Sequence, residues 1–373
     1  MRPFTVRTAD GAFVLQCYDF VVENAAIRSC RRRRRPHQHN NNNNVLLLHC
    51  NGINCLAYEA VVEQLVKRNV RVVTYDQRGH GRSRFFAPPQ EGEEEEIGVG
   101  EDGENGKRDV DLSWKTFARD AELVLDAVRE KDEREGRSGG DAAGTSAKWH
   151  AVGHSLGGFA SLWLEATVPG TFASILAYEP IFALERRAYP GMRAYAEPDG
   201  SLQRNARKRK RTFTSFEHAY ESYRKGILGQ VMDERSLRGY VFDGGFRKEE
   251  GSSGGGVALT CDPEIEARIY ENGEEDLNAL NFIEERIDTS KCPVTIATGG
   301  ATKKTYAYGV GKVVAERIKG ARALEFGLLG HFGPLTAPEV FADAVAQNVS
   351  HIYPSNDIVD DTNDHRALER SRL

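Results

Sequence analysis

The sequence predicts an α/β protein: a mostly parallel central sheet flanked by helices, with a helical cap inserted late in the chain. Two patterns carry this expectation. Apolar runs of four to seven residues, such as "VLLLH" and "VRVVTYD", alternate with helix-periodic stretches. That is how buried parallel strands joined by right-handed crossovers read. Between 181 and about 286 the alternation breaks down, and helical "FTSFEHAYESYRKGIL" and "PEIEARIYENG" flank a glycine-rich "EEGSSGGG". Such a segment reads as a cap folded over the carboxyl ends of the strands, where open α/β sheets bind ligands.

Taken in order, "RPFTVRT" and "AFVLQCYDFVV" are rich in β-branched and aromatic residues and flank Asp10-Gly11, a hairpin-turn signal. The low-complexity "RSCRRRRRPHQHNNNNN" (28–44) offers nothing to bury and reads as a solvated insertion. A strand at 45–49, the helical "LAYEAVVEQLVKRN" and a strand at 70–76 follow, then an acidic, glycine-rich insertion at 90–109. "WKTFARDAELVLDAVRE" (114–130) puts Phe117, Leu123, Val124 and Val128 near one helical face, and a third insertion occupies about 130–147. "WHAVG", the helical "LGGFASLWLEA" and "FASILAYEP" complete a first core segment, 1–180. After the cap (181–286) a second core segment, 287–350, holds "CPVTIATG", helical "GVGKVVAERIKG", "ARALEFG" and the terminal helix "PEVFADAVAQNV". Residues 351–373 read as a flexible tail, and no internal repeat is found.

Composition narrows the function classes. An apolar share of 40% and a charged share of 28% describe a globular chain with ample core, and a formal net charge of −5 gives no reason to expect nucleic acid. No apolar run approaches the roughly 20 residues that span a bilayer, and "MRPFTVRTADGAFVLQ" lacks the apolar core of a secretory signal. Cys17, Cys30, Cys50, Cys55, Cys261 and Cys292 show no CxxC pair, which points to reduced thiols and no structural zinc. The chain ends in Ser371-Arg372-Leu373, similar to the S-K-L peroxisomal address and expected to be read by an import receptor. The basic "ARKRKR" (206–211) reads as a solvated face rather than a nuclear signal.

Chemistry is carried by Gly153-His154-Ser155-Leu156-Gly157, a G-x-S-x-G pattern with the strand "WHAV" before it and the helix "FASLWLEA" after it. In such an elbow the serine occupies a sharply bent backbone, and the flanking Gly153 and Gly157 leave room for the turn. A serine hydroxyl needs a base. His331, in "ARALEFGLLGHFGPLTAPEVF", lies on a loop after the last core strand, whereas His37, His39, His351 and His365 fall in the polar insertion and tail and His218 in the cap. His154 precedes the serine, and its ring is expected to point away from the hydroxyl. An oxyanion needs two fixed donors: the N–H of Leu156, and one from the loop "HCNGINC" after the third strand, where Asn51 is favoured over Gly52.

With these residues in view, the chain resembles the α/β-hydrolase superfamily over about 1–180 and 287–350, through "GHSLGG", "HCNG" and "YDQRGHGRS" (75–83). "AYEPIF", "AYESYRKG" and "GHFGPLTAPE" resemble a subgroup related to peroxisomal lipase-like and fungal toxin-biosynthesis hydrolases. The resemblance implies cleavage of an ester, thioester or amide through an acyl-enzyme, without cofactor or metal, on a small apolar acyl or lipid-like substrate held under the cap. Most members place an aspartate after the strand matching "CPVTIATG"; here Gly300, Ala301, Thr302, Lys303 and Lys304 follow. A family variant moves the acid to the end of the preceding core strand, which makes Glu179 in "SILAYEPIF" the candidate acid; the alternatives are a hinge role for Glu179 before Pro180 and a Ser155–His331 dyad without an acid. A non-catalytic ligand-binding protein of the same fold and an acyltransferase are the alternatives.

Overall fold

A computed structural model describes residues 1–21, 43–85, 110–136, 148–184, 200–249, 255–273, 277–302, 306–351 and 358–359. Residues 28–42, 90–109 and 137–147 of the three insertions lie outside these, as do Ser371, Arg372 and Leu373.

The chain opens with an antiparallel hairpin of β1 (Arg2–Arg7) and β2 (Phe13–Phe20), turned where Asp10 accepts from the Thr8 hydroxyl at 2.6 Å and from the Ala12 N–H at 3.0 Å. Then come β3 (Asn44–Leu48), α1 (Glu59–Lys67), β4 (Arg71–Tyr75) and the short β5 (Arg84–Phe85). Next are α2 (Trp114–Arg134), β6 (Trp149–His154), α3 (Leu156–Thr167) and β7 (Ser174–Tyr178). An inserted segment follows: α4 (Ser201–Arg207), β8 (Thr212–Phe213), α5 (Phe216–Lys225), α6 (Ile227–Val231), α7 (Glu234–Tyr240), β9 (Phe246–Lys248), β10 (Val257–Leu259), α8 (Pro263–Asn272) and α9 (Ala279–Arg286). The chain returns through β11 (Val294–Gly299), α10 (Tyr306–Arg317), β12 (Arg322–Phe326), α11 (Gly333–Thr336), α12 (Pro338–Val349) and β13 (Ile358–Val359).

The main sheet runs β1-β2-β4-β3-β6-β7-β11-β12-β13, with β5 on β2. From β4 to β13 every neighbouring pair is parallel. Its parallel strands read as unbroken apolar runs because helices cover both faces. On β3, Leu46 and Leu48 enter one core with Phe117, Val124 and Phe159 from α2 and α3. Val45 and Leu47 enter the other with Val61 and Leu65 of α1 and Phe341 of α12. The strand order reverses at β3: the next strand, β4, lies on one side of it and β6 on the other. The carboxyl ends of β3 and β6 therefore flank a switch point, the usual place for a ligand crevice.

Three local features differ from the sequence expectation. The inserted segment is helical in most of its described length but also holds a small antiparallel sheet, β8-β10-β9, whose Phe213, Phe246, Val257 and Leu259 are buried. Strands of two or three residues are too short to display a period. Helix α2 continues through Arg134, four residues past Glu130, because "EKDER" consists of good helix formers or tolerable ones and ends in cations that suit a helix C-terminus. Within the expected tail, Ile358 and Val359 add a short parallel strand to β12.

Candidate active site

Ser155 stands between β6 and α3 with φ 55° and ψ −113°. A non-glycine residue in the left-handed half of φ space is strained, at a cost on the order of 1–3 kcal/mol, and persists only where its surroundings over-determine it. They do so here. A Cβ on Gly153 would sit 2.3 Å from the Gly157 carbonyl oxygen, and one on Gly157 would sit 2.3 Å from that of Leu48. The elbow is thus pressed against β3 at a distance only glycine allows. The Ser155 N–H donates to the Tyr178 carbonyl at 2.9 Å, fastening the elbow to the end of β7. Leu156 begins α3 and is fully buried; its N–H belongs to the first turn, which has no intrahelical acceptor.

Glu179 is the residue after β7. It is fully buried and also has a left-handed φ, 42°. Its Oε2 lies 2.7 Å from His331 Nδ1. Its Oε1 accepts from the Gly299 N–H at 2.8 Å and from the Thr302 hydroxyl. A carboxylate only accepts, so His331 carries its proton on Nδ1, leaving Nε2 as the acceptor. Nε2 has no hydrogen-bond partner among the described residues, and neither does the Ser155 hydroxyl. The His331 ring lies 4.9 Å, centroid to centroid, from that of His154, the residue before the serine, so the histidine loop packs against the end of β6.

The loop bearing His331 is held from below. Tyr178 donates its hydroxyl to the Gly330 carbonyl at 2.6 Å, and the Ala301 N–H donates to the Leu329 carbonyl at 2.9 Å. Gly333 is required there, since a Cβ would meet the Tyr178 hydroxyl at 2.2 Å. His154 lies beneath the loop, with Nδ1 2.6 Å from the Tyr58 hydroxyl and a buried Nε2 that lacks a partner among the described residues. Burial, then the neighbouring His331, hold His154 well below the usual histidine range, so it is neutral.

The loop after β3 is clamped from two sides. His80 donates from Nδ1 to the Arg78 carbonyl at 3.0 Å and accepts the Gly52 N–H on Nε2 at 2.9 Å. His49 donates from Nδ1 to the Cys50 carbonyl at 2.7 Å and accepts the Gln77 N–H at 2.9 Å. Burial holds His49 well below its usual range and pushes His80 down to about 4. From the inserted segment, the Glu266 carbonyl accepts the Asn51 side-chain amide at 3.2 Å, and Arg209 joins Glu266 and Tyr240 under the same loop. Of the two oxyanion candidates, Gly52 has its N–H engaged with His80, and the Asn51 side chain lies against both His80 and the Glu266 carbonyl. Among the described residues no group of three or more His, Cys, Asp or Glu could hold a metal ion, and no helix is long and apolar enough to cross a membrane.

The family model described as "Alpha/beta hydrolase family" matches residues 45–344. The chain belongs to the alpha/beta hydrolase family. The strand order and elbow described above are those of an alpha/beta hydrolase, and solved structures agree on the fold. E-2-(acetamidomethylene)succinate hydrolase superposes with a TM-score of 0.63 at 16% identity, covering 94% of this chain and 100% of that one. An esterase from Exiguobacterium antarcticum gives 0.60 at 15%, covering 94% and 100%. The peroxisomal alpha-beta-hydrolase Lpx1 from Saccharomyces cerevisiae gives 0.59 at 14%, covering 100% and 92%. No curated protein matches the chain. Thr302, Tyr58, Tyr178 and His80 were not singled out as individual residues in the sequence. Only the hydrolase-like "YDQRGHGRS" hinted at His80.

Proposed function

We propose that this alpha/beta hydrolase is a serine hydrolase that cleaves carboxylic esters or thioesters through an acyl-enzyme. Ser155 attacks the acyl carbon, its proton passes to His331 Nε2, and the N–H groups of Leu156 and Asn51 receive the oxyanion. His331 then gives the proton to the leaving alcohol or thiol. Water, deprotonated by the same imidazole, releases the acid and restores Ser155. Glu179 keeps the proton of His331 on Nδ1 and stabilises the imidazolium, the role of the acid in serine triads. The observation that carries this reading is the 2.7 Å contact between Glu179 and His331. It supplies an orienting acid although no carboxylate follows β11, and it weighs against a purely ligand-binding protein. The inserted segment is read as a cap that shelters an apolar acyl group. No cofactor or metal takes part.

The test is a screen of p-nitrophenyl esters and acyl-CoA thioesters across chain lengths, with wild type and Ser155→Ala. Turnover by the wild type alone is expected, with competing alcohols failing to divert the acyl group. Turnover that Ser155→Ala retains would remove the serine from the mechanism, and diversion to an added alcohol would favour acyl transfer. Ser371-Arg372-Leu373, when free at the carboxyl terminus, is read as a peroxisomal address. Fusing a tag after Leu373 should abolish peroxisomal import in cells, and an unchanged distribution would refute that address.

A further inference from the structure

Where the sequence after β11 supplies no acid, the structure puts two hydrogen-bond donors, and both point at the carboxylate of Glu179. We infer that the turn 299–302, through the Thr302 hydroxyl and the Gly299 N–H, is the positioning device of the acid: it anchors Glu179 by Oε1 so that Oε2 alone faces His331. The inference rests on the triad reading above and extends it to residues that never touch substrate. Four observations support it. Glu179 has no solvent-exposed surface and Thr302 is 5% exposed, so water does not compete for these bonds. Gly299 donates to Oε1 at 2.8 Å, and the Thr302 hydroxyl, whose one proton lies between Oε1 and the Gly299 carbonyl, reaches the same oxygen, where the carboxylate is the stronger acceptor; Oε2 has the imidazole at 2.7 Å. The backbone of Glu179 is held in a strained left-handed conformation, with its N–H donated to Ala297 on β11 at 2.8 Å. The same turn also grips the histidine loop, since the Ala301 N–H donates to the Leu329 carbonyl at 2.9 Å. Acid and base are thereby referenced to one short piece of chain.

The chemistry of the donors matters. An arginine or lysine against Oε1 would also hold the carboxylate, but would cancel the negative charge that stabilises an imidazolium. A hydroxyl and an amide fix the geometry and leave the charge in place. Among the described residues, the only cationic or potentially cationic group paired with Glu179 is His331. Without the Thr302 anchor, Oε1 keeps only the Gly299 N–H, and the imidazole loses part of its orientation in every proton-transfer step.

Thr302→Val removes the hydroxyl at nearly constant volume, and Thr302→Ser keeps it. The expected result is a kcat for Thr302→Val lower by roughly ten- to a hundred-fold, by analogy with the loss of outer-shell partners that orient metal ligands. KM should stay within about twofold, since ground-state binding is untouched, and Thr302→Ser should recover most of the loss. A Thr302→Val enzyme with wild-type kcat, or one that raises KM alone, overturns the inference, as does a Thr302→Ser variant as impaired as Thr302→Val. If Thr302→Val does not fold, Thr302→Ala replaces it. Failure of both to fold while Thr302→Ser folds would make the hydroxyl a stability element and would also overturn the positioning role. The triad reading fails separately: in that case the wild type itself shows neither turnover nor covalent labelling by a fluorophosphonate.

Discussion

At the scale of single residues, the site joins two backbone strains to one buried carboxylate. Ser155 and Glu179, at φ 55° and 42°, occupy the ends of adjacent parallel strands and share a hydrogen-bonded boundary, the Ser155 N–H on the Tyr178 carbonyl. Strain of this kind is retained when side-chain direction matters more than local comfort. Glu179→Gln tests that statement. The amide keeps the size and would present an N–H or an oxygen toward His331, so the imidazole loses its fixed tautomer while the fold persists. kcat should drop by roughly 10³- to 10⁴-fold, by comparison with acid-to-amide exchange in serine triads, with a melting temperature near that of the wild type. Turnover within a few-fold of wild type would take the acid's role away from Glu179.

At the scale of elements, what was legible followed from how far along the chain each interaction reaches. The elbow is encoded in five consecutive residues with a strand before and a helix after, so Ser155, Gly153, Gly157 and Leu156 could be read directly. His331 stands out in the sequence because glycines on either side let a loop after β12 carry it toward the elbow, and its ring does lie beside that of His154. Helix α12 was read to the residue, from "PEVFADAVAQNV", because proline opens it and its apolar period is unbroken. Glu179 needed family resemblance. Its partner Thr302 is 123 positions away, and only the parallel register of β7 on β11, with Ala177 opposite Ile296, brings them together. Likewise the pairing of Gly52 with His80 depends on β3 lying beside β4. Elements of two or three residues, β8, β9 and β10, carry no period for a sequence to show. Their formation is a matter of the aromatic cluster of buried Phe213, Tyr240 and Phe246 with half-buried Tyr223.

At the scale of the whole molecule, buried neutral histidines tie stability to pH. His49 and His154 are held well below their usual range, and His80 and His150 are pushed down to about 4, in each case chiefly by burial. In the unfolded chain these imidazoles take up protons near pH 6.5, whereas in the folded chain they resist. Their contribution is therefore fully present above about pH 6.5 and is lost as pH falls from there toward 4, because the unfolded state binds more protons in that window. For His80 alone the shift corresponds to on the order of 3 kcal/mol. Thermal melts at constant ionic strength should show the melting temperature falling steadily between pH 6.5 and 4. A flat profile over that window would mean that these histidines are open to protons in the folded protein. The buried pairs Arg78 with Asp120, at 2.7 Å, and Arg71 with Asp19, at 2.8 Å, fasten the loop after β4 and the start of β4 to α2 and β2. The account as a whole turns on the nucleophile, and the most direct measurement is fluorophosphonate labelling of the full-length chain followed by peptide mass spectrometry. The expected result is one covalent adduct, on the peptide containing Ser155, absent in Ser155→Ala and much slower in His331→Ala. An unlabelled wild type, or an adduct on any other residue, would contradict it.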